Sequence, residues 1–246
     1  MTQAATSSSL GHGHPIHQAI DEFVHIFAEF GFSYQSGPLV ESEWYNFDAL
    51  NVPRNHPARD AQDTFFVQGM EETVLRTHTS PVQVRAMQAM VEAGNRPPFR
   101  IIAPGPAFRN EATDATHEAT FYQLEGLAID EKGKVTLAHL KGTLECFFSA
   151  FYGREIVTRF RPGYFPFVEP GVEVDMLYTS SRGEQWMEIM GAGMVHPKVL
   201  EAAGLDSQLY GGFAFGVGIE RLLMVRHQID DIRPFHSGDL RFVHQF

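Results

Sequence analysis

The sequence predicts an α+β domain in which an antiparallel sheet is flanked by helices, and two observations support this class. Strand-like runs occur in two neighbouring pairs, 100–108 with 121–129 and 172–178 with 186–190, and polar turn-forming residues separate the members of each pair. That spacing is typical of β-hairpins, whose strands are antiparallel. The helical segments lie beside these hairpins, without the strand–helix–strand alternation that predicts a parallel sheet.

The chain is expected to begin with a disordered leader, residues 1–13, which is small, polar and without apolar periodicity. One globular domain, residues 14–246, is expected to follow. It opens on an amphipathic helix, because apolar residues recur at helical spacing from Pro15 as far as Gly31, a residue suited to a helix stop.

Three further segments complete the predicted order. Residues 41–63 are polar and rich in turn formers, which predicts a long loop of the kind that often carries function. Leucines and phenylalanines between 137 and 151 form the buried stripe of a second helix, in which Cys146 is expected to pack. The glycine-rich run 211–218 leads into a last helix that carries Arg221.

Composition limits the possible functions. With 246 residues, 43% of them hydrophobic, the chain should bury about 70% of its unfolded surface in one core. A formal charge of -11 disfavours a protein that binds nucleic acid alone, so any RNA contact would need local patches or a partner. No apolar run approaches the ~20 residues of a membrane helix, and no signal peptide is recognisable. We therefore expect a cytoplasmic protein without a membrane partner.

Polar groups that could bind a ligand concentrate in the first hairpin, between Arg109 and Glu125. This hairpin offers an arginine, a histidine, an aromatic ring, carboxylates and an amide, a set that could hold a nucleotide and a small zwitterion. Because side chains alternate along a strand, Phe121, Gln123 and Glu125 should share one face.

Several separate motifs, in the same order, resemble those of the α subunits of bacterial phenylalanyl-tRNA synthetase, a class II aminoacyl-tRNA synthetase. The resemblance extends from residue 13 to residue 246 and includes the hairpin. Its other motifs occupy residues 46–51, 56–59, 76–80, 164–167, 191–197 and 239–242.

The resemblance implies an enzyme that activates L-phenylalanine with ATP to an adenylate and transfers the phenylalanyl group to the terminal ribose of tRNA(Phe). It also implies a β-subunit partner, in a heterotetramer of two α and two β chains, with tRNA contacted mostly through the β chain.

Catalytic and ATP-binding roles are implied for five residues. The attack of a carboxylate on a phosphate brings two anions together, so the site must neutralise charge. Arg109 would contact the α-phosphate, and Arg221 would lie at the γ-phosphate end of a bent ATP. Phe121 would stack on adenine, Glu111 would accept from its amino group, and His117 would reach the phosphates.

The resemblance further implies a phenylalanine pocket and one metal ligand. Gln123 and Glu125 would accept hydrogen bonds from the substrate ammonium, Ala214 would lie at the bottom of the ring pocket, and Glu169 would bind Mg²⁺ shared with the β chain. Phe165 and Phe167 would pack edge-to-face around the substrate ring. The full phenylalanine set is His78, Ser80, Gln123, Glu125, Phe165, Phe167, Ala214 and Gly216.

The chain departs from the family pattern in three places. The coiled-coil arm that usually precedes the catalytic domain is missing before residue 13, residues 106–107 replace an arginine-containing pair, and Tyr122 stands where histidine is usual. The sequence therefore leaves open a truncated paralogue that binds or adenylates an amino acid without charging tRNA. A structural partner of the β subunit is disfavoured by the intact polar set.

Overall fold

The computed structural model describes residues 11, 13–180 and 183–246 of the chain. Apart from positions 11 and 13, the predicted leader lies outside the described residues. Positions 181 and 182, in the turn expected after residue 180, also lie outside the described residues. The strands are β1 (Ser33–Tyr34), β2 (Val40–Ser42), β3 (Thr73–Leu75), β4 (Phe99–Phe108), β5 (Thr120–Glu131), β6 (Thr158–Phe165), β7 (Val168–Ser180), β8 (Gly183–Val195) and β9 (Tyr210–Gly218).

Seven of these strands form one sheet in the order β1-β4-β5-β9-β8-β7-β6, and β2 pairs with β3 separately. The helices are α1 (Pro15–Glu29), α2 (Glu43–Asn46), α3 (Pro81–Glu92), α4 (Leu137–Tyr152), α5 (Pro197–Ala202), α6 (Ile219–His227) and α7 (Leu240–Val243). This arrangement confirms the α+β class. The sheet is antiparallel except at its edge, where the short β1 runs parallel to β4. A parallel pair needs a long crossover, and the segment between these strands supplies one.

The two predicted hairpins are present. β4 pairs with β5 without interruption from Phe99↔Ile129 to Phe108↔Thr120. β7 pairs with β8, with a register shift after Val174. The glycine-rich run that was predicted to lead into the last helix forms strand β9, and β9 leads directly into α6.

Helices cover both faces of the sheet, each over its own apolar cluster. On one face α1 and α4 meet through phenylalanines, and the rings of Phe23 and Phe147 have centroids 5.3 Å apart. The other face carries the cluster beneath α3 and α5. Cys146, expected to pack inside, is exposed on α4, because the buried stripe of that helix passes through its neighbour Phe147.

The prediction of one long loop over residues 41–63 is wrong in part. The segment contains the end of β2, the short helix α2, and two 3₁₀ turns, Asp48–Leu50 and Pro57–Arg59. Ser42 caps α2 by accepting a hydrogen bond from the Tyr45 N–H. Such short elements have no periodicity to detect, since tertiary contacts stabilise them.

Within the described part of the chain, the helices are too short or too polar to span a membrane.

Candidate functional site

Two adjoining cavities lie along β5, β8 and β9. The first, named the arginine cavity, has a volume of about 220 Å³ and is lined by Arg109 and Arg221. The second, named the glutamate cavity, has a volume of about 330 Å³ and is lined by Glu125. The two cavities share wall residues, among them Arg109, Gln123 and Gly216.

The arginine cavity collects every residue that the sequence assigned to ATP. The guanidinium of Arg109 lies 4.8 Å from the ring centroid of Phe121. Its Nη1 is 4.0 Å from a carboxylate oxygen of Glu111. On the other side, Nη1 of Arg221 donates to the Glu188 carbonyl oxygen at 2.9 Å. Two cations and a flat ring therefore face one space, which suits a polyphosphate attached to an aromatic base.

The turn between β4 and β5 presents His117 to the same cavity. Oδ1 of Asp114 accepts from the backbone N–H groups of Thr116 and His117, at 2.7 and 2.9 Å. These bonds lower the pKa of the Asp114 carboxyl well below its ordinary value, together with the contact to the His117 ring. The turn is therefore stabilised by hydrogen bonds among its own residues, and it holds His117 at the edge of the cavity.

The glutamate cavity is built around one buried carboxylate. The side chain of Glu125 accepts from Oγ of Ser80 at 2.9 Å, from Oγ1 of Thr79 at 3.1 Å, and from the side-chain amide of Gln83. Burial raises its pKa from 4.5 to about 7, although these donors act in the opposite direction. A cationic ligand would compensate this burial.

Two of these donors, Thr79 and Gln83, were not assigned from the sequence. Gln83 is fully enclosed on the buried side of α3, where an apolar residue would be usual. A buried polar residue one turn beyond the 76–80 motif was the available signal. Thr79 also donates its backbone N–H to Oε1 of Gln123 at 3.2 Å, so one short segment orients both β5 side chains.

His78 contributes a nitrogen that has no partner among the described residues. Its Nδ1 is buried, and its ring lies 6.1 Å from that of Phe167. Burial lowers the pKa of His78 to about 3, with smaller contributions from the charges of Arg109 and Arg76. The imidazole is therefore neutral at physiological pH and available for a hydrogen bond with a ligand.

The remaining wall of the glutamate cavity is apolar. The rings of Phe165 and Phe167 have centroids 6.1 Å apart and planes 26° apart. Ala214 and Gly216 line the cavity from β9. A Cβ on Gly216 would lie only 3.1 Å from an oxygen of Glu125, so glycine keeps the space beside the carboxylate open. The edge-to-face packing expected around a substrate ring stays a prediction.

Pro106 does not interrupt the β4–β5 pairing. In the Pro106↔Tyr122 pair, the Pro106 carbonyl accepts from Nε of Arg76 at 2.8 Å, and the Tyr122 N–H donates to Glu220 at 2.7 Å. Both groups point away from the partner strand, as in the non-hydrogen-bonded pairs of an antiparallel ladder. The proline therefore removes no ladder bond. His236 contacts the same Glu220 oxygen at 3.1 Å, so this carboxylate ties β5 to the start of α6.

Glu169, the expected magnesium ligand, lies outside both cavities. Its side chain is 76% exposed, and a carboxylate oxygen is 3.5 Å from Nε2 of His196. The parts of the chain that the structure describes hold no group of three His, Cys, Asp or Glu residues suited to a metal ion. Glu169 could supply one oxygen ligand, but the described residues do not by themselves complete a magnesium site.

Comparison with known proteins identifies the family of the chain. Residues 1–246 match the family described as tRNA synthetases class II core domain (F). A phenylalanine–tRNA ligase alpha subunit of Prochlorococcus marinus subsp. pastoris is 50% identical over 246 residues, covering 100% of this chain and 69% of that protein. The alpha subunit of Clostridium perfringens is 47% identical, covering 97% and 70%. That of Dehalococcoides mccartyi is 50% identical over 250 residues, covering 96% and 70%.

The family match spans the whole chain, and these relatives are similar over about two thirds or more of their own length. The chain belongs to the class II tRNA synthetase core family and, within it, to the phenylalanine–tRNA ligase alpha subunits.

Proposed function

We propose that this chain is the catalytic α subunit of a phenylalanine–tRNA ligase. It activates L-phenylalanine with ATP to phenylalanyl-adenylate, and then transfers the phenylalanyl group to the terminal ribose of tRNA(Phe). The observation that carries this proposal is the common wall of the two cavities. Arg109 and Gln123 line both, so a nucleotide in one cavity and an amino acid in the other would meet beside a cation.

In the first step, a carboxylate oxygen of phenylalanine attacks the α-phosphorus of ATP. A new P–O bond forms while the bond to the β-phosphate breaks, and pyrophosphate leaves with the electron pair. Negative charge increases on the α-phosphate oxygens in the transition state, and Arg109 would stabilise it. Arg221, across the cavity, would neutralise the departing phosphates, while Phe121 stacks on the base.

The phenylalanine ammonium would be held by Glu125 and Gln123. Among the described residues that line the glutamate cavity, Glu125 is the only carboxylate, and it is ionised most readily when a cation is adjacent. The ammonium would therefore supply the positive charge that compensates for the burial of this carboxylate. The apolar wall with Phe165, Phe167 and Ala214 would then receive the phenyl ring.

In the second step, a ribose hydroxyl of tRNA attacks the carbonyl carbon of the adenylate. The acyl C–O bond to the phosphate breaks, the hydroxyl proton passes to the phosphate of the leaving AMP, and the tRNA ester forms. We propose that a β subunit contributes most of the tRNA contacts, in a heterotetramer of two α and two β chains in the cytoplasm. Glu169 would contribute one oxygen to a Mg²⁺ shared with that subunit, and no step above depends on it.

The proposal is tested by co-expressing the chain with the β subunit encoded in the same genome. Phenylalanine-dependent pyrophosphate exchange and tRNA(Phe) charging are measured separately, and both are expected. Arg221→Gln should lower exchange by about 100-fold or more. Arg96→Gln serves as a control, because Arg96 is exposed and its side chain bonds, among the described residues, to the neighbouring Asn95 carbonyl. Exchange without charging would indicate a paralogue that only adenylates. A well-folded assembly without either activity would contradict the proposal and favour a structural role.

A further inference from the structure

Part of the wall of the glutamate cavity is formed by a segment to which no role was assigned. Phe47, Val52 and Ala58 line the cavity together with the turn from Phe165 to Phe167. This wall segment, residues 47–59, lies within the predicted long loop, yet it is highly organised. The question is what fixes its distance from the aromatic turn.

The aromatic turn, residues 165–167, lies beside a register irregularity between its own strands. β6 and β7 pair at Gly163↔Gly171, and the next pair is Phe165↔Val168, so the register shifts just where the two phenylalanines lie. Pro166 and Phe167 form the turn that joins the two strands, so their positions are not paired in the ladder. On the outer side, the Phe167 carbonyl accepts from the His196 N–H at 2.9 Å.

The wall segment supplies the bond on the other side. Nδ2 of Asn51 donates to the Pro166 carbonyl at 2.7 Å, directly between the two phenylalanines. Asn51 reaches this position from a left-handed backbone conformation, with φ of 57° and ψ of 22°. Asparagine tolerates that conformation better than other residues with a side chain, apart from aspartate.

Arg59 holds the wall segment in the matching conformation. Its Nη2 donates to Oδ1 of Asp48 at 2.7 Å and also to the Val52 carbonyl, on either side of Asn51. The guanidinium lies 4.8 Å from the ring centroid of Phe47, itself a cavity residue. The Arg59 side chain is only 9% exposed, whereas the Asp48 side chain is 37% exposed, so the bond to the Val52 carbonyl is the better shielded from water.

We propose that Asn51 and Arg59 are positioning residues that set the width of the ring pocket and thereby its selectivity for phenylalanine. They touch the turn and the wall, not the substrate. The inference rests on the proposed function, because it assumes that the phenyl ring enters the glutamate cavity. Neither residue approaches the arginine cavity, so ATP binding should not depend on them.

Three substitutions separate this role from general stability. Asn51→Gly keeps the left-handed backbone and removes the donor, whereas Asn51→Asp keeps the shape and replaces the donor by an acceptor. Arg59→Gln removes the guanidinium that bonds to Asp48 and to the Val52 carbonyl. Arg54→Gln is the matched control, because Arg54 is exposed on the same segment without a hydrogen bond or ion pair to any described residue.

Pyrophosphate exchange is measured in the complete assembly with the β subunit, varying phenylalanine and ATP in turn. A lost bond of about 1 kcal/mol corresponds to a roughly 5-fold rise in the KM for phenylalanine, and the three variants should show at least that. The KM for ATP should stay within about 2-fold, and discrimination against tyrosine should narrow. Arg54→Gln should behave as wild type.

Wild-type KM values and selectivity in both Asn51 variants would overturn the inference while leaving the proposed function intact. Equal increases in the KM for ATP and for phenylalanine would also overturn it, since they indicate general distortion. A wild-type assembly without exchange would overturn the proposed function and this inference together. Phenylalanine-induced thermal stabilisation of each variant gives a second readout that does not depend on turnover.

Discussion

Replacing Glu125 by glutamine should stabilise the free protein above neutral pH while impairing its use of phenylalanine. The carboxyl is 4% exposed, and burial raises its pKa from 4.5 to about 7. A raised pKa means that the folded protein holds the proton more tightly than the unfolded chain. The contribution to stability is therefore complete below pH 4.5 and is lost as the pH rises through 7.

The magnitude follows from the two pKa values. At about 1.4 kcal/mol per pKa unit, the charged carboxylate costs the free protein about 3 kcal/mol above pH 7. For a domain of this size that corresponds to roughly 6–12 °C in Tm. Glutamine keeps the hydrogen-bond acceptor without the charge, so its advantage over glutamate should grow between pH 5 and pH 8.

The same substitution should lower the kcat/KM for phenylalanine. The ammonium of phenylalanine needs the ionised carboxylate, so kcat/KM for phenylalanine should rise with pH up to about 7 in the wild type. Glutamine should flatten this profile and lower the plateau roughly 10- to 100-fold, the value of a hydrogen bond to a charged group.

The assays are thermal unfolding of the α chain at pH 5 and pH 8, and pyrophosphate exchange of the assembly across that range. Glu131→Gln is the control, because Glu131 lies at the far end of the same strand and its side chain forms an exposed ion pair with Lys134, 2.9 Å long. The reasoning would be refuted if Glu125→Gln and wild type shared one pH profile of stability, or if glutamine left phenylalanine use unchanged.

Three further substitutions test other parts of the structure. Arg221→Gln should lower exchange by about 100-fold or more with little change in Tm, and a loss of less than 5-fold would exclude a phosphate role. Ala214→Gly should admit para-halogenated phenylalanines in the exchange assay, and unchanged discrimination would refute its place at the bottom of the pocket. Gly126→Ala should destabilise by about 1–3 kcal/mol in urea, because a Cβ would lie 2.1 Å from Cζ of Phe215. Gly142→Ala on α4, where nothing lies within 4 Å, is its control and should be neutral or stabilising.

The sequence predicts most of the sheet because its information is local. The β4–β5 hairpin follows from alternation and a polar turn, and the helix at Pro15 follows from periodicity and Gly31. The parallel pairing of β1 could not be predicted in this way, since two residues carry no period. The exposure of Cys146 was also not predicted. The apolar stripe of a helix is broad, so the pattern does not decide whether a residue at its border is buried or exposed.

For the candidate site, too, local sequence information predicted some residues and not others. The residues taken from motifs lie on the two cavities, with the exception of Glu169, but motif reasoning did not find the partners that hold them. Thr79 and Gln83 bind Glu125 across more than 40 positions of sequence. Asn51 likewise acts on a turn 115 residues away. Such pairs depend on the folded arrangement, and a single sequence gives only the residue types.

The continuous pairing of β4 with β5 fixes the distances between the side chains along β5. Phe121 and Glu125 lie four residues apart on β5, about 13 Å at the usual rise per residue. Inserting one residue between them would turn one of the two side chains to the opposite face of the sheet. Inserting two would restore the faces but add about 7 Å. The separation between the base and the ammonium can therefore change only in discrete steps. Accepted ligands can differ at either end, but the distance between these two groups must stay the same.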